Sequence, residues 1–239
     1  MRKLFFVPII HTPADMGTMG VVLSETSAAA LGKELWEEHQ KTVSRFWDSV
    51  SRFFNALQIS NFKIYQDGLV AGGEDGLKIV AEGARQGSIN YLIISGLLER
   101  GAVLIKTEDI GLVQREYSYI KKLIGAKSTR ERETAASRYK LAQPKLLEDR
   151  DNFIAGTIKT TLTEGDTGVL FIGAYHNVLS KLPADIFIVQ IKELTEVREY
   201  HRALTGLSIK TRAQYQQLAE YLGSPVLDSE EGQKDRVFK

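Results

Sequence analysis

Short continuous apolar runs alternate along the chain with stretches whose apolar residues return every three or four positions. The first run, residues 4–10, reads Leu-Phe-Phe-Val-Pro-Ile-Ile without a polar break. It predicts a strand covered on both faces, with Pro8 marking a bend or an edge position. From Ser24, a fitting N-cap, the residues Leu31, Leu35, Val43, Phe46, Trp47, Val50, Phe54 and Leu57 recur at helical spacing and predict the longest helix. Residues 62–65 predict a short strand running into Gln66-Asp67-Gly68, and residues 74–86 a helix with Leu77, Val80 and Ala84 on one side. Residues 102–105 predict a third strand ending at Lys106-Thr107-Glu108-Asp109, followed by a helix to residue 124. Residues 125–143 are dense in charge and predict an exposed excursion. Beyond it, residues 145–162 predict a helix and 168–172 a strand ending in Gly173-Ala174-Tyr175-His176. Residues 186–191 predict a last strand, and from residue 192 onward the pattern is helical until a polar tail at 229–239.

Strands alternating with helices predict an α/β fold: a single domain over residues 1–228, with a mostly parallel sheet flanked by helices on both faces, a helical excursion and C-terminal helices. In such sheets ligands bind beyond the carboxyl ends of the strands. That rule selects His11 after the first strand, Asp67 after the second, Glu108 and Asp109 after the third, and His176 after the fourth. Two imidazoles among carboxylates form the nitrogen and oxygen mixture that a divalent ion such as Mn, Co or Zn accepts. Each residue alone has a plainer reading, as a loop histidine satisfied by backbone or an acidic cap. The helix at 145–162 carries Asp151 on the same stripe as Leu147, Ile154, Ile158 and Leu162, with Arg150 beside it. Charge on a buried face is costly unless paired. This pair therefore predicts either a structural ion pair or an Arg150 that holds an anion or orients a catalytic carboxylate.

Composition narrows the reading. A chain of 239 residues, 43% hydrophobic and 26% charged, buries a core without covalent staples. Thirty-one Lys plus Arg against 30 Asp plus Glu leave a net charge of +1, so neither nucleic acid nor an anionic membrane is an expected partner. The absence of cysteine removes disulfides, thiolate nucleophiles and zinc fingers. No apolar run approaches the roughly 20 residues that span a bilayer, and His11 and Asp15 interrupt the only start that imitates a targeting segment, so a cytoplasmic location is expected. His39 and His201 lie on helices and read as structural or surface residues. Phe46, Trp47, Phe53 and Phe54 read as core, or as a face that joins a second copy in a homo-oligomer.

The stretch from Leu146 through Arg150-Asp151-Asn152-Phe153-Ile154-Ala155 to Phe171-Ile172-Gly173-Ala174-Tyr175-His176 resembles the signature of the TraB/Tiki and erythromycin-esterase-like/ChaN superfamily. There an Arg-Asp or Arg-Asn pair opens a helix, and about twenty residues later a strand ends in Gly, two free positions and His. The resemblance implies that Arg150 and His176 hold functional positions, with His11 as the histidine after the first strand. Asp67-Gly68 is similar to the family's Glu-Gly, and Thr107-Glu108-Asp109 to its acidic step. The first motif, Pro8-Ile9-Ile10-His11, lacks the family's usual glycine, and Asp67 replaces a glutamate. Within that resemblance, the convergence of two histidines and three acidic residues on one sheet edge predicts a metal-dependent hydrolase acting on a small molecule or peptide: His11 and His176, helped by Asp67 or Glu108, hold the ion, Glu108 or Asp109 is the general base, and Arg150 stabilises developing charge. The second reading is a non-catalytic haem- or small-anion-binding module of the same fold.

Overall fold

Two of the apolar runs are buried on both sides because they form the middle of a sheet. The computed structural model describes residues 1–10, 31–205 and 211–226. Its five strands are β1 (Arg2–Ile9), β2 (Lys63–Gln66), β3 (Val103–Ile105), β4 (Thr167–Gly173) and β5 (Ile186–Gln190), all parallel, in the order β3-β2-β4-β1-β5. Alternate residues of β1 and β4 point to opposite sides. Phe5, Val7, Val169 and Phe171 enter one core, and Leu4, Phe6, Leu170 and Ile172 enter the other.

Seven α-helices lie among the described residues: α1 (Lys33–Ala56), α2 (Gly73–Arg85), α3 (Ile89–Glu99), α4 (Ile110–Ile124), α5 (Thr129–Thr161), α6 (Leu194–Leu204) and α7 (Arg212–Gly223). The larger core joins Phe46, Trp47 and Phe54 of α1 with Ile94 and Leu97 of α3, Tyr200 of α6 and Leu222 of α7. The smaller core is closed by Ile154, Ala155 and Ile158 of α5, with Leu162 just beyond its end. Helices therefore cover both faces of the sheet, and the α/β architecture read from the alternation is the one observed. The aromatic residues of α1 are inside: Phe53 and Phe54 meet Phe5 edge to face, with ring centres 5.6 and 6.0 Å apart.

Three local readings change. Pro8 is not on an edge strand, since β1 lies between β4 and β5. Lys3 donates to Asp166 on the β4 side, while Phe6 accepts from Ile191 on the β5 side, so the missing N–H of Pro8 falls on the β5 side, past the last β5 pair, Phe6 with Gln190. No ladder bond is lost there. Helix α3 has no counterpart in the periodic reading, because Ile89, Leu92, Ile93, Ile94, Leu97 and Leu98 surround it on most sides and blur the stripe. Its start is nonetheless marked by Ser88, whose hydroxyl accepts from Tyr91 N–H. The third change is the excursion. From Thr129 it is one continuous helix with the segment after it, α5, which at 33 residues, and not α1 at 24, is the longest helix among the described residues, and Pro144 sits inside it. Ahead of that proline α5 pairs with α4 as an arm, and after it α5 packs on the sheet; a proline costs a bond to the carbonyl four residues back, which permits a bend at the junction.

Helices α2 and α3 approach closely at Gly83. A Cβ added there would lie 2.3 Å from Cδ2 and 2.7 Å from Cγ of Tyr91. In an exposed helix, alanine for glycine gains about 1 kcal/mol of propensity. Here the ring must move, and overpacking costs about 1–3 kcal/mol. Gly83→Ala is thus expected to lower stability, and a rise in the urea midpoint would refute the close contact.

Candidate functional site

The sheet order sets three acid–base groups in a row. Strands β3, β2 and β4 are consecutive neighbours, and the residues that follow them at their carboxyl ends are Glu108, Asp67 and His176. Each is tied to its neighbour. Asp67 N–H continues the β2–β4 ladder to Phe171 O at 2.9 Å, and its Oδ2 accepts from Gly173 N–H at 3.0 Å. Gly68 has φ +77°, a backbone turn that a side chain disfavours and that ends β2 directly beside this carboxylate. Glu108 N–H donates to Leu69 O at 3.0 Å, and the buried Thr107 hydroxyl accepts from Gln66 N–H while donating to Ile105 O. The acidic residue after β3 is locked against the turn after β2.

Arg150, on the sheet-packing half of α5, reaches across this row. Nη2 donates to Asp67 Oδ1 and, at 2.5 Å, to Glu108 Oε1; Nε shares a donor with both Glu108 oxygens at 3.2 and 3.3 Å; Nη1 donates to Glu116 Oε2. The planar guanidinium suits this fork, which an ammonium would not fill. Glu108 is 0% and Arg150 8% exposed, so the pair is desolvated. Burial pushes the Glu108 carboxyl up to about 7, against the hydrogen bonds and charge of Arg150, and Asp67 adds to the rise. Glu116, on α4, also accepts from Tyr139 Oη at 2.8 Å, so the base of the arm is fastened to the site.

His176 completes the cluster. Its Nδ1 lies 2.6 Å from Asp151 Oδ1, and the other oxygen of Asp151 accepts from Asn177 N–H at 2.8 Å. Nε2 faces Asp67 Oδ2 at 3.4 Å. Burial works to lower the imidazole pKa, but the charge of Asp67 and the bonds to Asp151 and Asp67 outweigh it and carry His176 up to about 9. At neutral pH the ring is an imidazolium between two carboxylates. The loop that bears it is held from outside by Arg198 of α6, which donates to Ala174 O at 2.6 Å and His176 O at 2.9 Å.

Family models, curated proteins and solved structures were each compared with the chain, and none matches.

The geometry brings together Asp67, Glu108, Arg150 and His176 from the residues singled out in the sequence. Asp109 has a different place: its Oδ1 accepts from Leu112 N–H at 3.0 Å as the N-cap of α4. His11 lies outside the described residues. Among the described residues no group of three His, Asp or Glu side chains is placed to hold a metal ion. The reason is visible in the bonds: Arg150 occupies both Glu108 oxygens and Oδ1 of Asp67, Oδ2 of Asp67 accepts from Gly173 N–H, and Nδ1 of His176 is held by Asp151. A metal does not fit these residues on their own.

Three members of the cluster were not assigned a place in it from sequence. Asp151 was marked by its position on an apolar stripe, which required a buried partner, but nothing named His176 as that partner. Glu116 and Arg198 gave no signal, since both sit on helices rich in charge. His39 and His201 stand apart, bonded to Tyr200 and Tyr175 respectively.

Proposed function

We propose that the cluster is the catalytic centre of a hydrolase of the TraB/Tiki and erythromycin-esterase-like type, acting on a small-molecule or peptide substrate. The observation that carries the reading is the chain Asp151–His176–Asp67, in which a carboxylate fixes one ring nitrogen while the other faces a second carboxylate at 3.4 Å, partly open to solvent. Asp151 sets the ring orientation and stabilises its charge, as an orienting acid does for a catalytic histidine. Imidazolium His176 is the proton donor for a leaving group, and Asp67 is the base that takes a proton from water. Arg150, committed to three carboxylates, holds Asp67 and Glu108 in place, a narrower role than direct stabilisation of developing charge. The metal-dependent form of the reaction rests on His11 as a further donor beside His176 and Asp67.

The test is a panel of p-nitrophenyl esters, phosphoesters and peptide anilides, run before and after removal of divalent ions by chelation. Turnover is expected in the intact protein and absent in His176→Asn and Asp67→Asn. No turnover on any member above the His176→Asn background would sink the hydrolase reading. Activity that chelation abolishes and Mn, Co or Zn restores, with the restoration missing in His11→Ala, would establish the metal-dependent form instead of the acid–base one.

A further inference from the structure

The charge balance of the whole chain conceals a separation. Between residues 115 and 140 there are eight Lys or Arg against three Glu, so the rest of the chain is net negative. This segment is the arm: α4, the turn after it, and the first part of α5. No residue of α4 is buried, and α5 ahead of Leu146 contributes none either, so the arm stands clear of both cores. It does not add to the hydrophobic core.

A groove of about 840 Å³ runs between the two helices, bordered by Lys121, Lys122, Arg130 and Arg138, and a smaller one continues from it past Arg115. All five cations are exposed, and none has a carboxylate within salt-bridge distance among the described residues. Glu116, which would oppose them, is turned away toward Arg150 and Tyr139. Glu131 is held at the helix start by Lys127 N–H. Tyr119 lines the groove and stacks on Tyr139 with ring centres 6.0 Å apart, and Tyr117 is 47% exposed on the same helix.

We propose that this groove binds single-stranded nucleic acid through its phosphodiester backbone. Unpaired cations in two facing rows attract a polyanion, and their release of condensed counterions drives binding. Arg115 and Lys122 are seven residues apart on α4, and Arg130 and Arg138 eight apart on α5, so each row spans about 10–12 Å at 1.5 Å per residue. That length passes two or three phosphates of an extended strand. The cations border a concavity, which suits a narrow strand over a rigid duplex, and Tyr119 in its lining supplies an aromatic ring for base stacking. A membrane surface is the poorer match, because the tip of the arm at Gly125, Lys127 and Ser128 offers no large apolar side chain to insert.

The experiment is fluorescence anisotropy of a labelled 20-nucleotide single strand titrated with the full chain. Duplex DNA and phosphatidylserine vesicles serve as competitors. With about four phosphate contacts, affinity for the single strand is expected to fall about 50-fold between 50 and 200 mM salt. Lys122→Glu with Arg138→Glu is expected to weaken binding at least about ten-fold. The same reversal on α2, at Lys78 and Arg85, is expected to leave it within two-fold. All four positions are exposed, and circular dichroism checks that the variants fold. Absence of binding at 50 mM salt, equal weakening by both double variants, or capture by vesicles in preference to the oligonucleotide would each overturn the proposal.

Discussion

Arg150→Met is expected to lower the unfolding free energy by about 3–5 kcal/mol, because it strands a fully buried carboxylate without its counter-charge. Glu108 is 0% exposed and receives three of the donor contacts made by Arg150. Asp67 and Glu116, which meet the same guanidinium, are more open and rehydrate more easily. The variant has two ways to relieve the cost, taking up a proton on Glu108 or opening the turn to water, and both leave signatures. Its deficit is expected to shrink as pH falls, since a neutral Glu108 no longer needs the cation. Adding Glu108→Gln to Arg150→Met is expected to recover more than half of the loss. Arg150→Lys falls between the two, because one ammonium replaces only part of a fork shared among three acids. Urea denaturation of the four proteins, wild type included, measures all of this. A loss under 1 kcal/mol for Arg150→Met would mean that the cluster is solvated, and would remove the basis for the raised Glu108 pKa.

Stability is also expected to fall as pH rises from 6.5 to 9, by about 3 kcal/mol, through His176 alone. The folded state keeps its proton up to about 9, while the unfolded chain releases it near 6.5. A group whose pKa is raised by folding contributes fully below its unfolded value and loses that contribution as pH climbs through the folded one. Glu108, raised from 4.5 to about 7, acts in the same direction over a lower window. Lys192 acts oppositely: burial lowers it from 10.5 to about 8, so the unfolded chain is the better proton binder above pH 8 and stability rises with pH there. Burial lowers His39 from 6.5 to about 4, so its contribution rises with pH below 6.5 and opposes that of Glu108. The sum is therefore nearly level up to about pH 6, falls most steeply near 7 and reaches its minimum near 8.5, where His176 and Lys192 cancel. His176→Asn is expected to flatten the upper segment and leave the segment below pH 6 as it is. Unfolding free energies at half-unit intervals test this, and an unchanged upper segment in His176→Asn would show that the histidine is not an imidazolium in the native cluster.

Both expectations depend on contacts between residues far apart in the chain, and such contacts limit how much of the site is legible in a sequence. The rule that ligands gather beyond strand carboxyl ends selects Asp67, Glu108 and His176, which lie side by side in the structure, and His11, which lies outside the described residues, because it needs only the location of each strand's end. It also picked Asp109, one residue from Glu108. The two differ because the backbone turns into α4 at that point: Asp109 faces the free N–H of Leu112, and Glu108 faces inward to Arg150. No composition or spacing separates adjacent acids, whereas the direction of one helix start does. The partner of Asp151 was equally hidden, since 25 residues and a whole strand lie between it and His176.

The sequence by itself determined the alternation of strands and helices, the two-sided burial of β1, and the need of Asp151 for a buried partner. These arise from local periodicity and the cost of desolvating charge, which act residue by residue. Only the tertiary structure decided that β4 inserts between β1 and β2, because strand order depends on which side each crossover takes. That insertion puts His176 next to Asp67. It likewise took the folded arm to show that a nearly neutral chain is divided into a basic hairpin and an acidic remainder, since charge acts through distance in space and a sum over the sequence has no geometry.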